Sequence, residues 1–314
     1  MSETGGPDRA RRTSGPVVPT IDLNGDPRGQ RAAVDRALRE AGFLLVTGHG
    51  IDPALRTGIR EAARAFFVLP AAVKEPYAVR VGGRGWLGPG AEANAYAEGT
   101  ATPPDLKESL SFAAEEPTGE PAVDAEWFLP NTWPAEVPRL KPLVEAYLGQ
   151  MRALADRILD RLGPALGEDA GFFTRHTGHP TFGFNINWYP ARERTGEPEP
   201  GQFRIGPHTD FGTVTLLDRQ AGRGGLQVCT DADGWQDAPY DPEALTVNIG
   251  DLMAGWTGGR WRSGRHRVLP PPADAPAEEL MSLVYFYECD PGTTIHGIES
   301  HAYLRSRLDA IATG

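Results

Sequence analysis

R-I-G-P-H-T-D-F-G-T-V-T-L-L, residues 204–217, is the stretch whose reading decides the fold. It opens on turn residues and passes into β-branched and apolar ones, the composition of a strand entered from a turn. On an extended chain residues i and i+2 project to one face, so His208 and Asp210 can grip one ion while Thr209 points away. A second stretch, V-N-I-G-D-L-M-A-G-W-T-G-G-R-W-R-S-G-R-H-R-V (247–268), places His266 at the head of another short apolar run. Two histidines and a carboxylate on one face of an octahedron leave about three positions free, which suits non-haem Fe(II) and oxygen. A structural zinc closes its shell instead, although zinc also accepts two histidines and a carboxylate, so the donors alone leave the metal open.

Outward from this stretch, the C-terminal half is a succession of short strands divided by Gly, Pro and Asp. They are predicted over 182–189, 213–217, 226–229, 245–249, 266–269 and 281–287, the pattern of a jelly-roll sandwich or barrel. Between Gln30 and Val73 the apolar spacing predicts helix (Ala33, Ala37, Leu38), strand (42–46) and helix again (Leu55, Ile59, Ala62, Ala63, Phe66, Phe67). A loop-rich stretch covers 82–138, a long amphipathic helix 140–166 and a last helix 303–311. The expected fold is therefore mainly β with flanking helices. Its divisions are a disordered tail (1–16), an N-terminal helical and loop region (17–140), and a jelly-roll core with a C-terminal helix (141–314). There is no internal repeat.

A formal charge of −11 argues against nucleic acid, which demands a basic footprint. Hydrophobic residues make up 40%, enough for a sizeable core, yet no apolar run approaches the roughly 18 residues of a membrane span. The first residues lack the apolar segment of a secretory signal. Two cysteines, Cys229 and Cys289, far apart and outside metal spacing, fit a reducing cytoplasm and core positions. Three lysines against 28 arginines point to GC-rich coding and a bacterium. A small-molecule partner follows.

The chain resembles the Fe(II)/2-oxoglutarate-dependent oxygenase superfamily, in its isopenicillin N synthase-like branch, and does so over nearly its whole length. V-P-T-I-D-L (18–23), G-F-L-L-V-T-G-H-G-I (42–51), A-F-F-V-L-P (65–70) and L-K-E-S-L-S-F (106–112) are similar to the N-terminal and middle regions of that branch. N-I-N-W-Y-P (185–190), H-T-D-F-G (208–212), G-G-L-Q-V (224–228), V-N-I-G-D (247–251) and S-G-R-H-R-V (263–268) resemble successive landmarks of its double-stranded β-helix core. The resemblance implies His208, Asp210 and His266 as iron ligands, with Asn187, Tyr189 and Ser282 against the co-substrate. It implies Fe(II), 2-oxoglutarate and O2 as cofactors and co-substrates. The implied activity is hydroxylation, desaturation or cyclisation of a small molecule, such as a bacterial secondary metabolite, a peptide or an amino-acid derivative.

Strand parity agrees, since Asn185, Asn187 and Tyr189 fall on one face and Phe184, Ile186 and Trp188 on the other. Asn185, Phe211 and Phe286 are candidate substrate contacts, with a structural amide the competing reading for Asn185. Trp86, Tyr96 and Phe112 add aromatic character that ordinary packing explains equally well. His49 reads as a packing residue in a turn, and His176, His179, His296 and His301 as exposed or capping groups.

One position departs from the family. Its arginine two residues before the late-strand serine, which holds the distal carboxylate of 2-oxoglutarate, is Leu280 here. Arg204 and Arg262 each precede a ligand histidine by four residues and are the expected substitutes, provided both strands stay regular. An oxidase that draws all its electrons from the substrate, as isopenicillin N synthase does, and a catalytically silent binding homologue are the alternatives.

Overall fold

The computed structural model describes residues 18–312, so the tail expected over 1–16 lies outside the described residues. Twelve strands are central: β1 Thr20–Asp22, β2 Phe43–Thr47, β3 Trp86–Leu87, β4 Glu108–Ala113, β5 Phe182–Tyr189, β6 Ile205–His208, β7 Val214–Asp218, β8 Leu226–Thr230, β9 Gly234–Asp237, β10 Leu245–Ile249, β11 His266–Val268 and β12 Leu280–Tyr287. They form a large sheet in the order β1-β2-β10-β7-β12-β5-β4-β3 and a small one in the order β6-β11-β8-β9. Neighbouring strands run antiparallel except β1 and β2, which are parallel. The jelly-roll core encloses a chamber lined from both sheets.

The alternation along β5 and β12 gives the large sheet two different faces. Phe184, Ile186 and Trp188 point outward into the core, and Asn185, Asn187 and Tyr189 point into the chamber. On the outer face lies the helix Leu140–Leu166, whose stripe of Val144, Tyr147, Met151, Ile158 and Leu162 is buried. Each fully buried side chain of this size stabilises by roughly 1.5–3 kcal/mol relative to exposure. The helix Pro53–Phe67 packs beside it, with Phe67 stacked on Trp188 at 5.3 Å between centroids. This helix and Pro27–Glu40 start the same way. Asp52 and Asp26 each accept a hydrogen bond from the backbone N–H two residues on (Ala54 and Arg28), just ahead of a proline-led first turn. Among the described residues no helix is long and apolar enough to cross a membrane.

Four expectations change. The N-terminal half supplies β1, β3 and β4 as well as helices and loops, because E-S-L-S-F-A alternates and can pair along β5. The strand carrying His208 ends at that residue, so Asp210 and Phe211 sit in the turn before β7. His301, expected as an exposed or capping group, is buried and hydrogen-bonded at 2.8 Å to Thr181. Of the two cysteines Cys289 is buried while Cys229 is only half-buried, and both are free.

One ion cluster ties helix to sheet. Asp218, at the end of β7 and fully buried, accepts from Arg56 Nε at 2.7 Å and pairs with Arg60 at 2.8 Å. Burial alone would raise its carboxyl pKa, but the hydrogen bonds and charges of Arg56 and Arg60 outweigh it and hold the group below the ordinary carboxylate range. A depressed folded-state pKa means that this stabilisation is complete above the unfolded-state value and is lost as pH falls through the folded one. Asp218→Ala should cost about 3–5 kcal/mol in urea unfolding near neutral pH, a deficit that narrows on acidification. A loss independent of pH would show that Asp218 acts by packing.

Candidate active site

His208, Asp210 and His266 converge in the chamber, their ligand atoms all within 4.8 Å of one another. The position of each follows from a neighbour. The register puts His266 opposite His208 across β11 and β6. Asp210 Oδ1 stands 3.7 Å from His208 Nε2 and 3.9 Å from His266 Nε2. Both histidine Nδ1 atoms lie 2.8 Å from a backbone carbonyl oxygen, that of Gly206 for His208 and that of Gly264 for His266. A carbonyl only accepts, so each Nδ1 carries the hydrogen and each Nε2 lone pair is left for a metal.

The Asp210 turn is fixed just as firmly. Oδ2 accepts from Thr215 Oγ1 and from Asn248 Nδ2, both at 2.6 Å, which directs Oδ1 at the histidines. Its backbone carbonyl accepts from Asp251 N at 2.9 Å. Gly250 permits this approach, since an added Cβ would overlap Gly212 O and lie 2.8 Å from Asp210 O. Burial would raise the Asp210 carboxyl, but the two histidines and the Thr215 and Asn248 hydrogen bonds hold it below its usual value. Burial and then the neighbouring His208 push His266 down to about 4. Neutral imidazoles and an ionised carboxylate are the forms that bind metal, and three such donors fit Fe(II) with a face left open.

The chamber has a volume of about 1080 Å³, at the large end for small-molecule sites. Ser282 pairs with Asn187 and Leu280 with Tyr189 across β12 and β5. Ser109 on β4 donates to Asn187 Oδ1 at 2.8 Å, and Tyr189, whose hydroxyl pKa burial pushes up, lies near Ser282 and Asn187 on the same lining. Towards the other end of the same strands, Asn185 accepts from Ser111 at 2.8 Å. Phe211 and Phe286 are further parts of the lining.

The two expected substitute arginines are committed elsewhere. Arg262 lies outside any strand, in an irregular segment where regular parity no longer holds, and reaches away from the site to Asp231 at 2.9 Å and the Glu40 carbonyl at 3.1 Å. Arg204 is buried with its guanidinium over the Tyr189 ring, but it pairs with Glu278 at 2.7 Å and also donates to the Glu278 carbonyl. Sequence reading missed Thr215 and Asn248, although both lie at inward positions of strands that it located. It also missed Glu288 just past the end of β12, a chamber-lining carboxyl that burial pushes up to about 8. Glu288 accepts from Thr213 N at 2.9 Å, and a Cβ on Gly212 would overlap it. His49 is a packing residue as expected, its Nδ1 accepting from Ile51 N at 3.0 Å.

Known proteins match this architecture. Residues 18–136 fit the family model described as non-haem dioxygenase in morphine synthesis N-terminal, and residues 178–288 fit that of the 2OG-Fe(II) oxygenase superfamily. Validamycin A dioxygenase of Streptomyces hygroscopicus subsp. limoneus is 44% identical over 282 residues, spanning 87% of this chain and 77% of that protein. The 2-oxoglutarate-dependent dioxygenase caaD of Aspergillus niger is 30% identical over 267 residues, 80% of this chain and 79% of its own. The crystal structure of a full-length Neurospora crassa protein in complex with alpha-KG superimposes with a TM-score of 0.77 at 28% identity, covering 93% of this chain and 96% of that one.

The carboxylate braces generate a prediction. Thr215→Val and Asn248→Ala should each weaken Fe(II) binding about 10–100-fold, because such supporting partners orient the ligand. Anaerobic competition titration measures this, and wild-type affinity in both variants would contradict the bracing role.

Proposed function

Because the chain belongs to the 2OG-Fe(II) oxygenase superfamily, we propose a residue-by-residue assignment of its site and a class of substrate. The enzyme is a dioxygenase that uses Fe(II), 2-oxoglutarate and O2 on a small molecule. His208, Asp210 and His266 hold the iron. Asn187, Tyr189 and Ser282 bind 2-oxoglutarate at the end of the chamber where β5 and β12 pair through Tyr189 and Leu280. When bound, iron would activate O2, the oxidant, with two of its four electrons drawn from 2-oxoglutarate as that becomes succinate and CO2 and the other two from the substrate C–H bond.

The protein's share is orientation and shielding. Ser109 fixes the Asn187 amide, and the pairing of β5 with β12 sets Ser282 beside Asn187, so the co-substrate meets polar groups carried on a rigid sheet. Asn185, Phe211 and Phe286 face the substrate. The apolar rings exclude water from the reacting C–H bond, and the amide orients a polar substituent. The single observation that carries the reading is the convergence of three potential metal donors, each with its outer hydrogen bond satisfied, at one point of this large chamber.

For the substrate we propose validamycin A or a close analogue, within bacterial secondary metabolism. The support is the 44% identity to validamycin A dioxygenase and a chamber roomy enough for a large metabolite beside the co-substrate. A cytoplasmic setting is consistent with two free thiols.

With Fe(II), 2-oxoglutarate, O2 and validamycin A supplied, succinate should form in step with substrate consumption. His266→Ala should abolish both while its circular dichroism spectrum stays unchanged. Succinate formation that validamycin A fails to stimulate would reject this substrate, and full turnover by His266→Ala would reject the iron assignment.

A further inference from the structure

Leu280 offers a 2-oxoglutarate carboxylate neither charge nor hydrogen bond, so a cation must come from another strand. Of the cations around Tyr189 and Ser282, most already have an anion. Lys107 contacts Glu92, and Arg204 is paired with Glu278 at 2.7 Å. Arg219 is different. It follows β7 directly and lines the chamber.

The register locates it. Leu283 on β12 lies opposite Asp218 on β7, and Val284 opposite Leu217. Continued one step past its last pair, the same register sets Arg219 opposite Ser282, with the inward parity of Thr215 and Leu217. Ser282 pairs with Asn187, which pairs with Ser109. Arg219, Ser282, Asn187 and Ser109 thus form one row across four strands, and Leu280 is the diagonal neighbour of Arg219 in the next row. Diagonal neighbours are within reach of a long side chain.

The guanidinium itself leans towards β10 and the end of β9, from which it would swing to meet a ligand beside Ser282. Arg219 Nε donates to Thr246 Oγ1 at 3.2 Å, and Nη2 donates to Ala238 O at 3.1 Å and to Pro239 O. Among the described residues Nη1 makes no hydrogen bond and no carboxylate pairs with the guanidinium. Burial holds its pKa below the ordinary arginine value, with only Tyr240 acting in the other direction. A part-buried cation held by neutral acceptors and lying 5.2 Å from the Tyr240 ring centroid still lacks a countercharge. An arriving carboxylate would balance it, and a guanidinium suits a carboxylate geometrically.

We propose that Arg219 anchors the distal carboxylate of 2-oxoglutarate from β7, opposite Ser282, in place of the cation missing at Leu280. This rests on the reading that Asn187, Tyr189 and Ser282 surround the co-substrate. The family's distal-carboxylate site is then kept, but its charge is delivered by the neighbouring strand.

The test is anaerobic calorimetry on the Fe(II)-loaded full chain with two probes. These are 2-oxoglutarate and 2-oxobutyrate, which keeps the 2-oxo acid head and lacks the distal carboxylate. Arg219→Ala should weaken 2-oxoglutarate by about thirtyfold or more and leave 2-oxobutyrate unchanged. Adding Leu280→Arg to that variant should restore 2-oxoglutarate. Wild-type 2-oxoglutarate affinity in Arg219→Ala overturns the proposal, and so does an equal loss for both probes, because a damaged wall does not discriminate between them. Ser282→Ala separates the two levels. Weakened 2-oxoglutarate there with none in Arg219→Ala rejects Arg219 alone, whereas unimpaired binding in both Ser282→Ala and Tyr189→Phe rejects the co-substrate site itself.

Discussion

Everything in this site hangs on the way the Asp210 carboxylate is divided. One oxygen is held by Thr215 and Asn248 at 2.6 Å each, and the other is turned towards two imidazoles less than 4 Å away. The braces come from β7 and β10 of the large sheet, while the histidines sit on β6 and β11 of the small one. The candidate metal site therefore depends on both sheets, and anything that shifts one against the other separates Asp210 from the histidines. The Arg56–Asp218–Arg60 cluster resists such a shift by binding the end of β7 to a helix on the outer face. Packing, ion pairing and metal geometry are in this sense one constraint.

Strand alternation divides the chamber by function. Every second residue of β12, from Leu280 through Ser282 and Val284 to Phe286, lines it, and the alternation carries on to Glu288 just past the strand. One end is hydroxyl- and amide-rich and suits a dicarboxylic acid once a cation is supplied. The opposite end brings Phe286 and Glu288 together, an apolar ring beside a buried carboxyl with a raised pKa. A substrate bearing both carbon surface and hydrogen-bond donors suits that end, whatever its exact identity.

Sequence reading went furthest where one physical signal dominates. Residues 182–189 and 245–249 alternate strictly or run apolar between turns, and 140–166 keeps helical spacing, so all three elements were legible almost to the residue. The cluster of His208, Asp210 and His266 was legible as a candidate metal site because its residue types and order are chemically restrictive, and the structure brings the three side chains together. Legibility ended where the answer depends on distant residues. Nothing local to Arg204 announces Glu278, which removes its charge from competition, and regular parity does not extend to Arg262 because β11 begins only at His266. Asp210 was placed on a strand but sits in a turn, held there by Asp251 and by the absence of a side chain at Gly250. Arg219 escaped notice because its meaning lies in pairing with β12, a contact that no local pattern reveals.

The central claim is that this chain holds one iron through two imidazoles and one carboxylate, with a face open to 2-oxoglutarate. X-ray absorption at the iron edge, on the anaerobic Fe(II) protein before and after 2-oxoglutarate is added, tests it most directly. The account predicts a six-coordinate oxygen and nitrogen shell with scattering from two imidazoles, in which 2-oxoglutarate displaces solvent and leaves the imidazole signal unchanged. A closed four-coordinate shell, or a spectrum indifferent to 2-oxoglutarate, would contradict it.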